Sequence, residues 1–275
     1  MLTSGLEQKQ SPGRSFGMHV SIYGEGPGKI LAFHGFGQDS THFGVFEEVI
    51  GSTHQLHSFD LPYHGKSRNP IKTDGIEKDA LRNFFTGYFR SNKITSFILV
   101  GYSIGAKFAL NLVHFFPDMI DRLILIAPDG LKINFWYRMA TGTHFSRRIF
   151  KYLMEHPAIF LKFTGLLSFF KLLHPSVSRF VKSQVADPDT RKLIYNAWVN
   201  YRTLNLDIRI LGKKIEKHKI PVEIILGEKD RVISADAVRP LIREFPYANV
   251  HILPVGHHRL IEDAAEYYRN EGFDV

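Results

Sequence analysis

The stretch FILVGYSIGAKFAL, residues 97–110, joins two apolar segments of different period and sets Ser103 between Gly101 and Gly105. The first segment reads as a buried strand, apolar on successive residues, and the second as a helix. A serine inside a core ordinarily bonds a nearby carbonyl and does nothing else. At Gly-x-Ser-x-Gly spacing, directly after a strand and before a helix, it has another use. A strand that turns sharply into a helix holds its central residue in a strained conformation with Oγ exposed, and a Cβ at either glycine would crowd the turn.

A presented hydroxyl needs partners before it does chemistry. Ile104 opens the helix, so its N–H is available to a developing oxyanion. A second donor is expected from FHGFGQD, residues 33–39, where Gly35 and Gly37 let the backbone approach a substrate and the Phe36 N–H faces the same point. His34 would structure that turn. A serine hydroxyl also requires a histidine to remove its proton, and the histidine requires a carboxylate to fix its tautomer. Downstream, Asp230 follows the strand-like VEIILGEK and His257 follows NVHILPV through Gly256. One alternative stays open at this point: His258, adjacent to His257, as the base.

Working outward, one pattern repeats: a short run rich in β-branched and aromatic residues, a Gly, Pro or Asp break, then a helix-like stretch. The candidate strands are GMHVSIYGE, KILAFHG, QLHSFDLP, SFILVGYS, DRLILIAP, VEIILGEKD and NVHILPVGH. The expected fold is α/β, a mostly parallel central sheet with helices on both faces. Residues 131–215 break the pattern. They carry no comparable strand, and helical spacing runs through SRRIFKYLMEH, AIFLKFTGLLSFFKLLH and DTRKLIYNAWVNYRTLN, with Pro157 and Pro175 as breaks. The reading is a core of 1–130 and 216–275 with a helical cap, or lid, at 131–215.

Composition narrows the function classes. There is no cysteine among the 275 residues, which removes disulfides, thiolate metal sites and cysteine nucleophiles together. The 14 histidines fall in no metal-ligand spacing, and no Gly-x-Gly-x-x-Gly or P-loop pattern occurs, so no metal, cofactor or nucleotide is expected. The first seventeen residues read as a polar lead-in without a signal-peptide core, and a cytoplasmic protein is expected. Lys162 and Lys171 leave only eight uncharged residues between them, too few to span a bilayer.

The net charge of +8 is unevenly spread: residues 131–215 hold fifteen Lys and Arg against four Asp and Glu. Three readings offer themselves: a solvated face, steering of anionic substrates, and contact with acidic lipid headgroups. The sequence favours the solvated face, and no recognition module supports nucleic acid. The aromatic residues of INFWYRMATGTHF and AIFLKFTGLLSFFKLL suit a small apolar acyl substrate, although most are needed for the cap's own core.

Residues 16–130 and 216–275 resemble the α/β-hydrolase family, through FHGFGQD, FDLPYHGKSR, VGYSIGA, LGEKDRV and VGHHRLIED in that order. Tyr63 stands where that family usually carries glycine, and Asp129, at the end of LILIAPD, stands where some of its members supply the acid instead. The resemblance implies Ser103 as nucleophile, Asp230 as acid, His257 as base and the Phe36 and Ile104 amides as oxyanion hole. It further implies a cofactor-free serine hydrolase of a carboxylic ester or related acyl compound. A ligand-binding protein on the same fold, with slow or no turnover, is the other expectation.

Overall fold

The computed structural model describes residues 16–67, 74–129, 135–169, 185, 187–245 and 247–273. Residues 1–15 of the N-terminal lead-in, and Pro175, lie outside the described residues. The chain divides into two compact units, Met1–Lys132 with Thr203–Val275, and Ile133–Arg202.

The first unit is built on a seven-stranded sheet. Its strands are β1 (Val20–Tyr23), β2 (Gly28–Phe33), β3 (His54–Phe59), β4 (Phe97–Tyr102), β5 (Ile120–Ile126), β6 (Val222–Gly227) and β7 (Asn249–Leu253). They lie in the order β1-β3-β2-β4-β5-β6-β7, so each of the seven candidate strands is in the sheet. β1 pairs antiparallel with β3 and every other pairing is parallel. β4 is buried at all its positions, because helices cover both faces of a parallel sheet and leave no polar side.

Aromatic rings fill the layer beside β2. The Phe33 ring centroid lies 5.3 Å from Phe59, 5.8 Å from Phe85 and 5.9 Å from Phe108. Phe85 belongs to α2 (Lys78–Asn92; the short α1 is Glu47–Ile50), which buries Leu81, Phe85 and Phe89 at four-residue spacing. Phe108 belongs to α3 (Ala106–Phe115), the helix that follows Ser103. Truncating a buried phenylalanine in such a layer costs about 3–5 kcal/mol.

The second unit is helical. α4 (Phe135–Thr141), α5 (His144–Glu155), α6 (Pro157–Phe169) and α7 (Pro188–Tyr201) contain its described residues apart from turns and the isolated Val185. Thr143 and Ser146 form a reciprocal capping box at the start of α5, and Asp187 caps α7 ahead of Pro188. Pro157 opens α6, where its missing N–H costs nothing. Phe150, Met154, Val185 and Val199 make the unit's core, with Tyr195 and Trp198 packed against them.

The lack of a strand before VEIILGEKD carried the insertion to residue 215, whereas the chain from Thr203 onward belongs to the sheet unit. The reason is α8 (Ile208–Lys217), which buries Leu211 and Ile215 and packs on α3 and on α9 (Ala235–Glu244). The segment before it is pinned by polar contacts. Thr203 Oγ1 donates to the Ile76 carbonyl at 2.7 Å and Lys78 Nζ to the Asn205 carbonyl at 3.1 Å. The chain's last helix is α10 (Leu260–Glu271).

Candidate active site

The strand ends of the sheet unit converge through register. Phe33 of β2 pairs with Gly101 of β4, and Gly101 pairs with Leu125 of β5. One residue beyond β4, Ser103 adopts φ 49°, the left-handed region, and a single 3-10 turn (Ser103–Gly105) leads into α3. Holding a non-glycine residue there costs about 1–3 kcal/mol, which the surrounding packing must supply. The flanking glycines make that packing possible. A Cβ on Gly101 would lie 2.8 Å from Ala106 Cα and 2.9 Å from Ala109 Cβ, and one on Gly105 would overlap the carbonyl oxygens of Phe33 and His34. The turn is therefore pressed at Gly105 onto the end of β2, the strand from which the loop carrying Phe36 departs.

That loop has its own supports. His34 is fully buried, and Nδ1 donates to the Gly35 carbonyl at 2.7 Å while Nε2 accepts the Leu61 N–H at 2.9 Å. This pairing fixes one neutral tautomer. Burial, with a smaller contribution from His64, lowers the His34 pKa to about 3. Gln38 Oε1 accepts the Gly35 N–H at 3.0 Å, the Gln38 N–H donates to the Gly35 carbonyl at 3.3 Å and Gly37 takes φ 76°, so Phe36 lies inside a closed turn. The facing loop is held by Asp60, whose carboxylate accepts the Ser40 and Lys66 amides at 2.6 and 2.7 Å. In that loop Tyr63 takes φ 72°, which accounts for a glycine being usual there.

Ser103, His257 and Asp230 come together from the ends of β4, β7 and β6. His257 Nε2 lies 3.2 Å from Ser103 Oγ, and His257 Nδ1 lies 2.6 Å from Asp230 Oδ2. The other carboxylate oxygen, Oδ1, accepts the Val232 and Ile233 amides at 2.7 and 2.8 Å. Burial alone would raise the Asp230 pKa; the hydrogen bonds from His257, Ile233 and Val232 outweigh it and hold the carboxyl below its usual value. An ionised Asp230 keeps the proton of His257 on Nδ1 and leaves Nε2 to accept from Ser103.

The alternatives separate in space. His258 is exposed, with its ring centroid 6.0 Å from that of His257 and nearly perpendicular to it. The Asp129 amide donates to the Ser103 carbonyl at 3.0 Å, and its carboxylate acts on the buried Lys107 ammonium. Neither residue makes a described contact with the Ser103 hydroxyl.

One residue in the same motif escaped the sequence reading. Tyr102 donates its hydroxyl to the His257 carbonyl at 2.6 Å, and its ring lies 5.2 Å from the imidazole. It ties the strand before Ser103 to the turn that carries the histidine. Its place beside Ser103 was the available signal, but nothing local distinguishes a ring that packs from a hydroxyl that reaches residue 257. Among the described residues, no three His, Asp or Glu side chains are grouped to hold a metal ion, and no helix is long and apolar enough to cross a membrane.

Known proteins share this arrangement of elements. The chain is 25% identical to the dihydrolipoyllysine-residue acetyltransferase component of an acetoin cleaving system from Pseudomonas putida, over 94% of this chain and 66% of that protein. It thus spans just under two thirds of that relative's length. It is 24% identical to a pimeloyl-acyl-carrier-protein methyl ester esterase from Nitrosomonas europaea, over 86% of this chain and 90% of the relative. A thermophilic esterase from Thermogutta terrifontis superposes with a TM-score of 0.65 at 16% identity, covering 92% of each chain, a likeness of fold. A family model for the alpha/beta hydrolase fold matches residues 29–264, and the chain belongs to that family.

Proposed function

We propose that this hydrolase cleaves a carboxylic ester with a small apolar acyl group, using Ser103 as nucleophile, His257 as general base and Asp230 as the group that orients it. The observation that carries the reading is the unbroken chain of contacts from Ser103 Oγ to His257 Nε2 at 3.2 Å and from His257 Nδ1 to Asp230 Oδ2 at 2.6 Å. Names of esterases among the relatives support it.

In the first half-reaction Ser103 Oγ attacks the acyl carbon while its proton moves to His257 Nε2. The carbonyl oxygen becomes an oxyanion, and the Phe36 and Ile104 amides are assigned to it; each such donor is worth on the order of 10²-fold in rate or more. His257 then gives its proton to the departing alkoxide, leaving an acyl-Ser103 ester. In the second half-reaction His257 takes a proton from water, the resulting hydroxide adds to the acyl carbon, and Ser103 leaves with that proton. Asp230 stays ionised throughout and stabilises the imidazolium. Tyr102 acts as a positioning residue, since it holds the main chain of His257.

Hydrolysis of a series of p-nitrophenyl esters of increasing acyl length tests this. Activity is expected to fall by roughly 10³-fold or more in Ser103→Ala and Asp230→Asn, with His258→Gln unchanged. No turnover by the folded wild type on any ester, together with saturable binding of the acyl compounds, would replace the hydrolase with a ligand-binding protein.

A further inference from the structure

Helix α5 carries two apolar stripes, and among the described residues its own unit buries one of them. Phe150 and Met154 turn into the core formed with Val185 and Val199, and Arg147 is buried beside them with its guanidinium donating to the Thr141 carbonyl at 2.9 Å. On the opposite side Phe145, Ile149 and Tyr152 are exposed by 74%, 45% and 50%. Their spacing, i, i+4 and i+7, places them on one line along the helix. Packing of the unit explains a single buried stripe, so the outer one needs another account.

Its flank is basic. Arg148 and Lys151 lie beside the stripe, and with His144, Phe145, Arg147 and Tyr195 they line a cleft of about 520 Å³ to which, among the described residues, no carboxylate contributes. Glu155 reaches Lys151 at 3.9 Å, a pair that is more than half exposed on both sides and weak for that reason. The charge of the whole chain is concentrated in this unit. Residues 133–202 hold eleven Lys and Arg against three Asp and Glu, a net of +8, and the remainder of the chain holds twenty-four of each.

The sequence alone favoured a solvated face for this charge, but a solvated face has no use for an aligned, exposed Phe, Ile and Tyr. Basic side chains beside an exposed apolar and aromatic line are the chemistry of a helix that lies in a membrane interface. There the apolar groups enter the acyl boundary while Lys and Arg meet headgroup phosphates. We propose that α5 docks the protein on an anionic phospholipid surface, with Arg148 and Lys151 on phosphates and Phe145, Ile149 and Tyr152 immersed. The proposal does not rest on the hydrolase reading.

Co-sedimentation of the full chain with vesicles tests it without any substrate. Vesicles of phosphatidylcholine alone are compared with equal parts phosphatidylcholine and phosphatidylglycerol, for the wild type, for Arg148→Glu with Lys151→Glu, and for Phe145→Ser with Ile149→Ser. These four side chains are exposed, and circular dichroism checks that each variant folds. Each basic residue near an anionic surface strengthens binding about fivefold. The wild type is expected on the mixed vesicles only, with tenfold weaker binding or more in both double variants and no release by inorganic phosphate. Absence of the wild type from the mixed vesicles, or equal binding by all three proteins, overturns the proposal. Release by inorganic phosphate would mean a free-phosphate site, and binding to poly-glutamate but not to vesicles an acidic protein partner; each would also overturn it.

Discussion

The sheet unit and the helical unit spend the same residue types differently. Phenylalanine in the first is sealed into rings around Phe33, while in the second Phe145 stands 74% exposed. Histidines 34, 57 and 64 of the sheet unit are buried, whereas His144 and His156 lie on the surface. Positive and negative charges balance over the sheet unit and leave +8 on the helical one. The lesson concerns constraint. In the sheet unit, strand register and close backbone contacts dictate both the identity and the direction of each side chain near Ser103. In the helical unit, the pattern dictates a helix and one buried stripe, and the remaining face is left for whatever lies outside.

Glycine substitution breaks or sharpens that contrast most strongly. Gly105→Ala would drive its Cβ into the Phe33 and His34 carbonyls, which are main-chain atoms and cannot rotate away. It is expected to cost more than about 4 kcal/mol, read as failure to fold or a collapsed denaturant midpoint. The matching change in the helical unit has the opposite sign. Gly165, inside α6, has no described atom within 4 Å of where a Cβ would go, and Gly165→Ala should add about 1 kcal/mol of stability from helix propensity. A tolerated Gly105→Ala would mean that the turn is not pressed against β2.

Acidification comes next in size. Burial lowers the pKa of His34 to about 3, and of His57 and His64 to about 4, each from an ordinary value near 6.5. Below that ordinary value the unfolded chain binds protons that the folded sheet unit refuses, so stability is lost as pH falls from about 6.5 toward 4. Each such group adds about 1.4 kcal/mol per pH unit to the slope in the steep part of the window. Denaturant unfolding at a series of pH values measures it, and a flat profile between pH 6.5 and 4.5 would show that these histidines take up protons without unfolding.

How much of this was legible in the sequence follows the same division. The strands were readable from their β-branched and aromatic runs, most plainly where both faces are covered, as in FILVGY, which has few alternatives. That Ser103, His257 and Asp230 would lie near one another could be expected because each follows a strand in a fixed order, and their contacts at 3.2 and 2.6 Å are a consequence of parallel register. The end of the insertion was not readable, since no strand separates α8 from the helices before it and only its packing on α3 and α9 assigns it to the sheet unit. Nor was Tyr102, whose role depends on a residue 155 positions away. The outward stripe of α5 was hidden for a related reason: Phe145, Ile149 and Tyr152 look like core residues until another stripe is seen to fill the core.

The central claim is that Ser103 is activated by His257 and not by its neighbour. Labelling with a fluorophosphonate, read by intact mass, addresses it without any guess about substrate. One adduct on the wild type and on His258→Ala, lost in Ser103→Ala and His257→Ala, is the result the contacts at 3.2 and 2.6 Å predict. An adduct that survives in Ser103→Ala, or one lost in His258→Ala but kept in His257→Ala, would contradict it.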